Sequence, residues 1–310
     1  MKTCIAVLTR GYDNIDSYST LIKRNLHIAC NLNDKSIDIL IYHEGNIRED
    51  HQIFIKSKTP RLKIQFIDIS NIAFQPNKQN IIVTDAESFS LGYRHMCSFW
   101  FIDFFNAVKE YDTLLRIDED CFVDSNIDTI LLNLKQYTFI TGIKSKDEEF
   151  VTRGLNQFSL NFVNRYNDIF SFKKNDPKRP EGPYTNLFGC SLEKIRNNDA
   201  FQKYKNELDE SNMIYQRRWG DLPLWGEVIY YIFGEETMKV DNSIMYYHGS
   251  HFSKINYNSD NLTKLLFNRL KILLPNNINN INNIKNQNTK KISFKGVFSE
   301  NKWKFDYSRI

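Results

Sequence analysis

Apolar and polar positions alternate in blocks that read as an α/β chain. Residues 4–9 form a continuous apolar run suited to a central parallel strand. Residues 10–14 read as a turn, and Asp16 or Ser17 as the cap of a helix reaching about Cys30, with Leu21, Leu26 and Ile28 on its apolar side. Residues 37–42 give a second strand that ends at His43-Glu44. Residues 62–69 give a third, alternating at Leu62, Ile64 and Phe66. The first part is therefore β-α-β followed by a further strand, the organisation of a nucleotide-binding sheet.

Residues 90–108 predict a helix that is apolar on most of its circumference and hence deeply buried. A short buried strand over 113–117 follows and ends in Asp118-Glu119-Asp120; another strand is expected over 137–142. The charged stretch 144–183 reads as loops with short helices, and 186–195 as a return to the core. Residues 201–208 form a helix. A second, apolar helix ends near Phe233, with Asp221 as its N-cap and Pro223 in the first turn. Residues 241–251 read as a short strand with His248 and His251 at its end. Beyond Leu274 the character changes. One domain is expected over 1–270, an Asn/Ile-rich flexible linker over 271–289, and a basic segment over 290–310 that carries Phe294, Phe298, Trp303 and Phe305 and is expected to dock back.

Composition narrows the function classes. The 310 residues are 41% hydrophobic and 25% charged, as in a globular protein. A net charge of +4 is too mild to argue for nucleic acid and suits an anionic small substrate. The 5 cysteines are odd in number and lack C-x-x-C spacing, so free thiols and a reducing compartment are expected. No apolar run approaches the roughly 20 residues of a membrane helix, and the N-terminal run is too short for a signal peptide. A soluble, cytoplasmic protein is expected, and the sequon Asn261-Leu262-Thr263 reads as chance.

Neither G-x-G-x-x-G nor G-x-x-x-x-G-K-[ST] occurs, which disfavours a Rossmann dinucleotide site and a P-loop. A nucleotide diphosphate on this sheet would need a metal to neutralise it. Asp118 and Asp120 lie on one side of an extended strand, because side chains repeat every two residues. The alternative is a solvated acidic turn. His248 is a further candidate ligand, and two carboxylates with one imidazole suit Mn²⁺ better than Zn²⁺ or Ca²⁺. Tyr93, Arg94 and His95 are either an exposed helix end or donors facing a nucleotide sugar. Glu193 is either a helix-start carboxylate or a group held in a cleft. Arg217, Arg218 and Trp219 suggest a site wall beside Asp221.

These stretches together resemble the fungal α-1,2-mannosyltransferases of the Kre2/Mnt1 type (glycosyltransferase family 15). Tyr93-Arg94-His95-Met96-Cys97 with Phe99-Trp100 is similar to that family's Y-R-x-M-C-R-W, and Arg116-Ile117-Asp118-Glu119-Asp120 to its R-V-E-P-D. Arg218-Trp219-Gly220-Asp221-Leu222-Pro223 looks like its R-W-G-D-A-P, Asp241 through His248 like its D-x-G-Y-x-H and, more loosely, 186–193 like its N-x-x-x-F-W-S-N-F-E. The resemblance runs from about residue 3 to 252. It implies a GT-A fold, a mixed and mostly parallel sheet flanked by helices, and transfer of mannose, dependent on Mn²⁺ (or Mg²⁺), from GDP-mannose to a glycan or glycoprotein hydroxyl with retained configuration. It implies Asp118, Asp120 and His248 as metal ligands and Glu193, Asp221 and Tyr93 as catalytic residues. Thr9, Arg10, Arg94, Arg116, Asp118, Arg217 and Arg218 are the donor-binding candidates, and Glu119 is expected to point away from the metal. The chain departs from the family in having Asp-Glu-Asp for Glu-Pro-Asp, Gly189-Cys190 where the family has Trp-Ser, Trp225 near the place of a histidine, and no counterpart of the transmembrane anchor. A UDP-sugar donor on the same fold, and a non-catalytic glycan-binding protein on a decayed transferase, are the alternatives.

Overall fold

The structure, a computed structural model, describes residues 2–74 and 76–263. The expected linker and basic C-terminal segment lie outside the described residues. Seven strands form the central sheet: β1 (Thr3–Leu8), β2 (Asp38–His43), β3 (Lys63–Asp68), β4 (Thr113–Ile117), β6 (Phe139–Thr141), β9 (Leu187–Ser191) and β10 (Met238–Val240). Their order is β10-β6-β9-β4-β1-β2-β3. Only β9 runs against its neighbours β4 and β6; the other pairs are parallel. β7 (Lys144–Ser145) pairs with β8 (Gly182–Pro183), and β5 (Cys121–Val123), β11 (Tyr246–His248) and β12 (Ser253–Ile255) form a small antiparallel sheet.

The continuous apolar runs become central strands because both faces are covered. Ile5 and Val7 face one core with Leu21 and Ile28 of helix Ser19–Asn31. Cys4 and Ala6 face the other, with Phe99 and Trp100. The predicted helix 90–108 is present, starting under the Ser90 cap and passing through a π-helical turn, Phe99–Asp103. Trp225 anchors the second core, its ring 5.0 Å from Phe101, 5.2 Å from Phe188 and 5.8 Å from Phe201. It fixes helix Asp221–Val228, whose first residue is a site candidate.

Three details correct the sequence reading. Helix Glu49–Lys58 had no signal, since only His51 and Ile55 in it are buried. The N-cap before Asp221 is Gly220, which leaves the Asp221 carboxylate free for another role. The buried side of helix Ser19–Asn31 includes Arg24 and Asn25, not Leu26. The Asn261 amide is buried and donates to the carbonyls of Asn242 and Asn256, so the sequon offers no free acceptor nitrogen. Among the described residues no helix is long and apolar enough to cross a membrane.

Candidate functional site

The site is built at the C-terminal ends of β1 and β4, where open α/β sheets bind ligands. Arg116, Asp118 and Asp120 are spaced by two along the end of β4. Arg116 is buried with its guanidinium 4.5 Å over the Trp100 ring. Its Nε and Nη2 donate to the two oxygens of Asp118 at 2.7 and 3.0 Å, and its Nη1 donates to Asp221 Oδ2. Burial opposes the Arg116 charge, but the two carboxylates outweigh it and push its pKa up. Burial also raises the pKa of Asp118, with Arg116 opposing. Asp118 therefore stands outside the donor cluster expected of it, because Arg116 on the same strand face occupies both its oxygens.

Asp120 and His248 do come together. Antiparallel pairing of β5 with β11 sets His248 opposite Cys121, one residue beyond Asp120. His248 Nε2 lies 3.5 Å from Asp120 Oδ2, and Tyr184 Oη is 3.0 Å from Nδ1. The Ser250 amide donates to Asp120 Oδ2 at 2.8 Å and the Gly249 amide to the Asp120 carbonyl at 2.8 Å. A Cβ on Gly249 would stand 3.2 Å from that carbonyl, so glycine permits the close turn. Burial lowers the His248 pKa, Asp120 pulling the other way, so the imidazole is neutral near pH 7 and able to ligate. A carboxylate oxygen of Asp120, the Cys121 sulfur and a His248 nitrogen all lie within 4.8 Å of one another. This oxygen, nitrogen and sulfur set fits a divalent ion. The neighbouring Asn186 side-chain nitrogen is buried without a partner, although its oxygen accepts from Tyr246.

The remaining candidates divide. Thr9 Oγ1 donates to Glu119 Oε2 at 2.6 Å, which turns Glu119 away from Asp120 towards β1, as expected. Arg10, exposed, lies 5.1 Å over the Tyr12 ring at the same edge. Arg218 takes a left-handed backbone (φ 60°) that separates it from Arg217. It donates to Tyr93 Oη at 2.6 Å and to Asp147 Oδ2 at 2.5 Å, and its Nε is buried without a partner. Burial raises the Tyr93 pKa.

Three candidates lie apart from the Asp120–His248 pair. Arg94 is fully buried and donates to the carbonyls of Phe89, Tyr215, Asp85 and Ala86, so it clamps loops and has no face for a nucleotide. Arg217 turns to Asp85, 3.7 Å away, and to the Arg153 carbonyl. Glu193 is exposed in the helix after β9. Because β9 is antiparallel to β4, with Ser191 opposite Thr113, Glu193 lies past the end of the sheet opposite Asp118. The length of β4, about 13 Å, separates the two ends.

Sequence reasoning missed Cys121, Tyr184, Asp147 and Arg24. Arg24 lies fully buried beneath the acidic turn, donating through Nε to the Ile117 carbonyl at 2.8 Å and through Nη2 to the Ala6 carbonyl at 3.3 Å. Burial pulls its pKa down to about 10. An arginine one turn from Leu21 and Ile28 on the buried side was the available signal.

No protein-family model matches the chain. Probable mannosyltransferase KTR3 of Saccharomyces cerevisiae is 30% identical over 151 residues, 44% of this chain and 37% of that protein. The matched stretch is thus well under half the length of that relative. Core-mannan synthase A (CmsA/Ktr4) of Aspergillus fumigatus, in its Mn/GDP form, superposes with a TM-score of 0.65 at 14% identity over 80% of this chain and 74% of that one. Ktr4p of S. cerevisiae in complex with GDP gives 0.65 at 16% over 80% and 71%. At such identities the superpositions establish fold. The chain has the GT-A fold of the Ktr4 mannosyltransferases, and its resemblance to the Kre2/Mnt1-type enzymes is met by a sequence relative and by the fold.

Proposed function

We propose that the protein is a glycosyltransferase that moves mannose from GDP-mannose to a hydroxyl of a glycan or glycoprotein, with Mn²⁺ as its ion and with retained anomeric configuration. The carrying observation is the Asp120–His248 pair, held at the C-terminal edge of a GT-A sheet that has no glycine-rich phosphate loop. The relatives support the donor and ion: one Ktr4 structure is an Mn/GDP form and another a GDP complex.

Asp120 and His248 would hold the ion, which when bound offsets charge on the departing diphosphate. Tyr184 on Nδ1 aims the other ring nitrogen at Asp120, a supporting contact of the kind that fixes metal-binding histidines. Arg116 holds Asp118 and Asp221 at one fixed spacing. Asp221, at the start of its helix, would orient the sugar or the acceptor hydroxyl. Thr9 and Arg10 would line the nucleotide side, and Arg218 with Tyr93 the opposite wall. Glu193 has no part.

A thermal-shift series with Mn²⁺ and GDP-mannose, GDP or UDP-glucose tests the donor, because a ligand bound only by the folded state raises stability. GDP-mannose and GDP are expected to raise Tm only with Mn²⁺. A shift confined to UDP-glucose would move the assignment to another donor, and no shift with any of them would overturn it.

A further inference from the structure

We infer that the Cys121 thiol is a third donor at the Asp120–His248 site, so that thiophilic divalent ions such as Zn²⁺, Cd²⁺ and Co²⁺ displace Mn²⁺ there and block the transfer. The inference rests on the proposed metal reading of that site and goes beyond it by naming a ligand and an ion preference.

The ladder between β5 and β11 carries the geometry. Cys121 stands directly opposite His248, and Phe122 opposite Tyr247. Directly opposed residues share a face and successive ones alternate. The alternation is visible in the rings: Phe122 and Tyr247 stack with centroids 6.0 Å apart at 12°. Cys121 and His248 therefore share the opposite, buried face, and both are nearly inaccessible to solvent. Asp120 precedes Cys121 in the chain, and its carboxylate is steered to that face by the Ser250 amide. The three donor atoms come within 4.8 Å of one another. The place is thus set by a hydrogen-bonded strand pair.

The chemistry follows from the donor set. A site of oxygens and one imidazole suits Mn²⁺, whereas a sulfur ligand shifts preference towards softer ions. Three protein ligands of carboxylate, imidazole and thiolate type with one position left open are an arrangement that Zn²⁺ accepts. The thiol proton leaves as the metal–sulfur bond forms, so each ion bound through Cys121 releases one proton to solvent. The other buried thiols, Cys4, Cys97 and Cys190, belong to no such donor group among the described residues.

Co²⁺ titration of the full chain tests this, because thiolate bound to Co²⁺ gives a near-ultraviolet charge-transfer band. The wild type is expected to show the band at one equivalent and lose it on adding Zn²⁺. Cys121→Val and His248→Ala should both lack the band. Cys121→Val should still bind Mn²⁺ by calorimetry, with its preference for Zn²⁺ over Mn²⁺ reduced at least about 10-fold. A band that persists in Cys121→Val, or wild-type protein that binds Co²⁺ and Mn²⁺ with no band, would overturn the thiol assignment and leave the proposed function standing. Failure of the wild type to bind any of these ions would overturn both. Zinc-edge X-ray absorption of the wild type reads the same point without a variant: a sulfur neighbour at about 2.3 Å is expected, and a shell of nitrogen and oxygen alone would contradict it.

Discussion

Arg116 and Asp221, 105 residues apart in the chain, are joined by a buried ion pair that ties the end of β4 to the first turn of helix Asp221–Val228. The same guanidinium takes both oxygens of Asp118. Two acids and one arginine thus form a single unit, and removing the cation leaves two carboxylates in a largely buried place.

Arg116→Met is expected to destabilise the fold by about 3–5 kcal/mol, the usual cost of breaking a buried ion pair from one side. Arg116→Lys keeps the charge but not the planar fork that reaches both acids. Urea unfolding should show a loss for both variants, smaller for lysine. A midpoint unchanged in Arg116→Met would remove the arginine from its bridging role.

Glu193→Gln is expected to leave Mn²⁺-dependent release of GDP from GDP-mannose unchanged, because Glu193 lies beyond the opposite end of the sheet from Asp118. A steady-state assay measures this, and a large fall in kcat would restore Glu193 to the site.

Glu227 is buried behind Asp221 on the same helix and accepts from Asn156 Nδ2 at 3.2–3.3 Å. Burial raises its pKa from 4.5 to about 7. The stability it contributes is full below its unfolded value near 4.5 and is lost as pH rises through about 7. At about 1.4 kcal/mol per pKa unit the change is roughly 3 kcal/mol. Glu227→Gln, which cannot ionise, should raise Tm relative to wild type at pH 8 and not at pH 4. An equal shift at both would show that Glu227 does not titrate in this range.

Much of the frame was legible in the sequence, for physical reasons that also mark where legibility stopped. The central strands announce themselves because burial on both faces demands unbroken apolar runs, as at Cys4–Val7 and Ile39–Tyr42. Strands of two or three residues such as β7, β10 and β12 carry too few positions to show a period. Asp120 and His248 were readable as candidates, but Cys121 was not, since its partnership with His248 depends on the register between strands more than 120 residues apart. Glu193 was misplaced because the direction of β9 is not written in its local sequence. Arg24 drew no reading, and Arg94 read as an exposed helix end or a donor to a nucleotide sugar; each is buried because backbone carbonyls satisfy its guanidinium.

The central claim is that Asp120 and His248 form the metal anchor of a nucleotide-sugar transferase. The most direct test is the rate of GDP release from GDP-mannose, with acceptor and Mn²⁺, in wild type and in Asp120→Ala. The account predicts Mn²⁺-dependent turnover in the wild type and a loss of about 100-fold or more in the variant. Undiminished turnover in Asp120→Ala would contradict it.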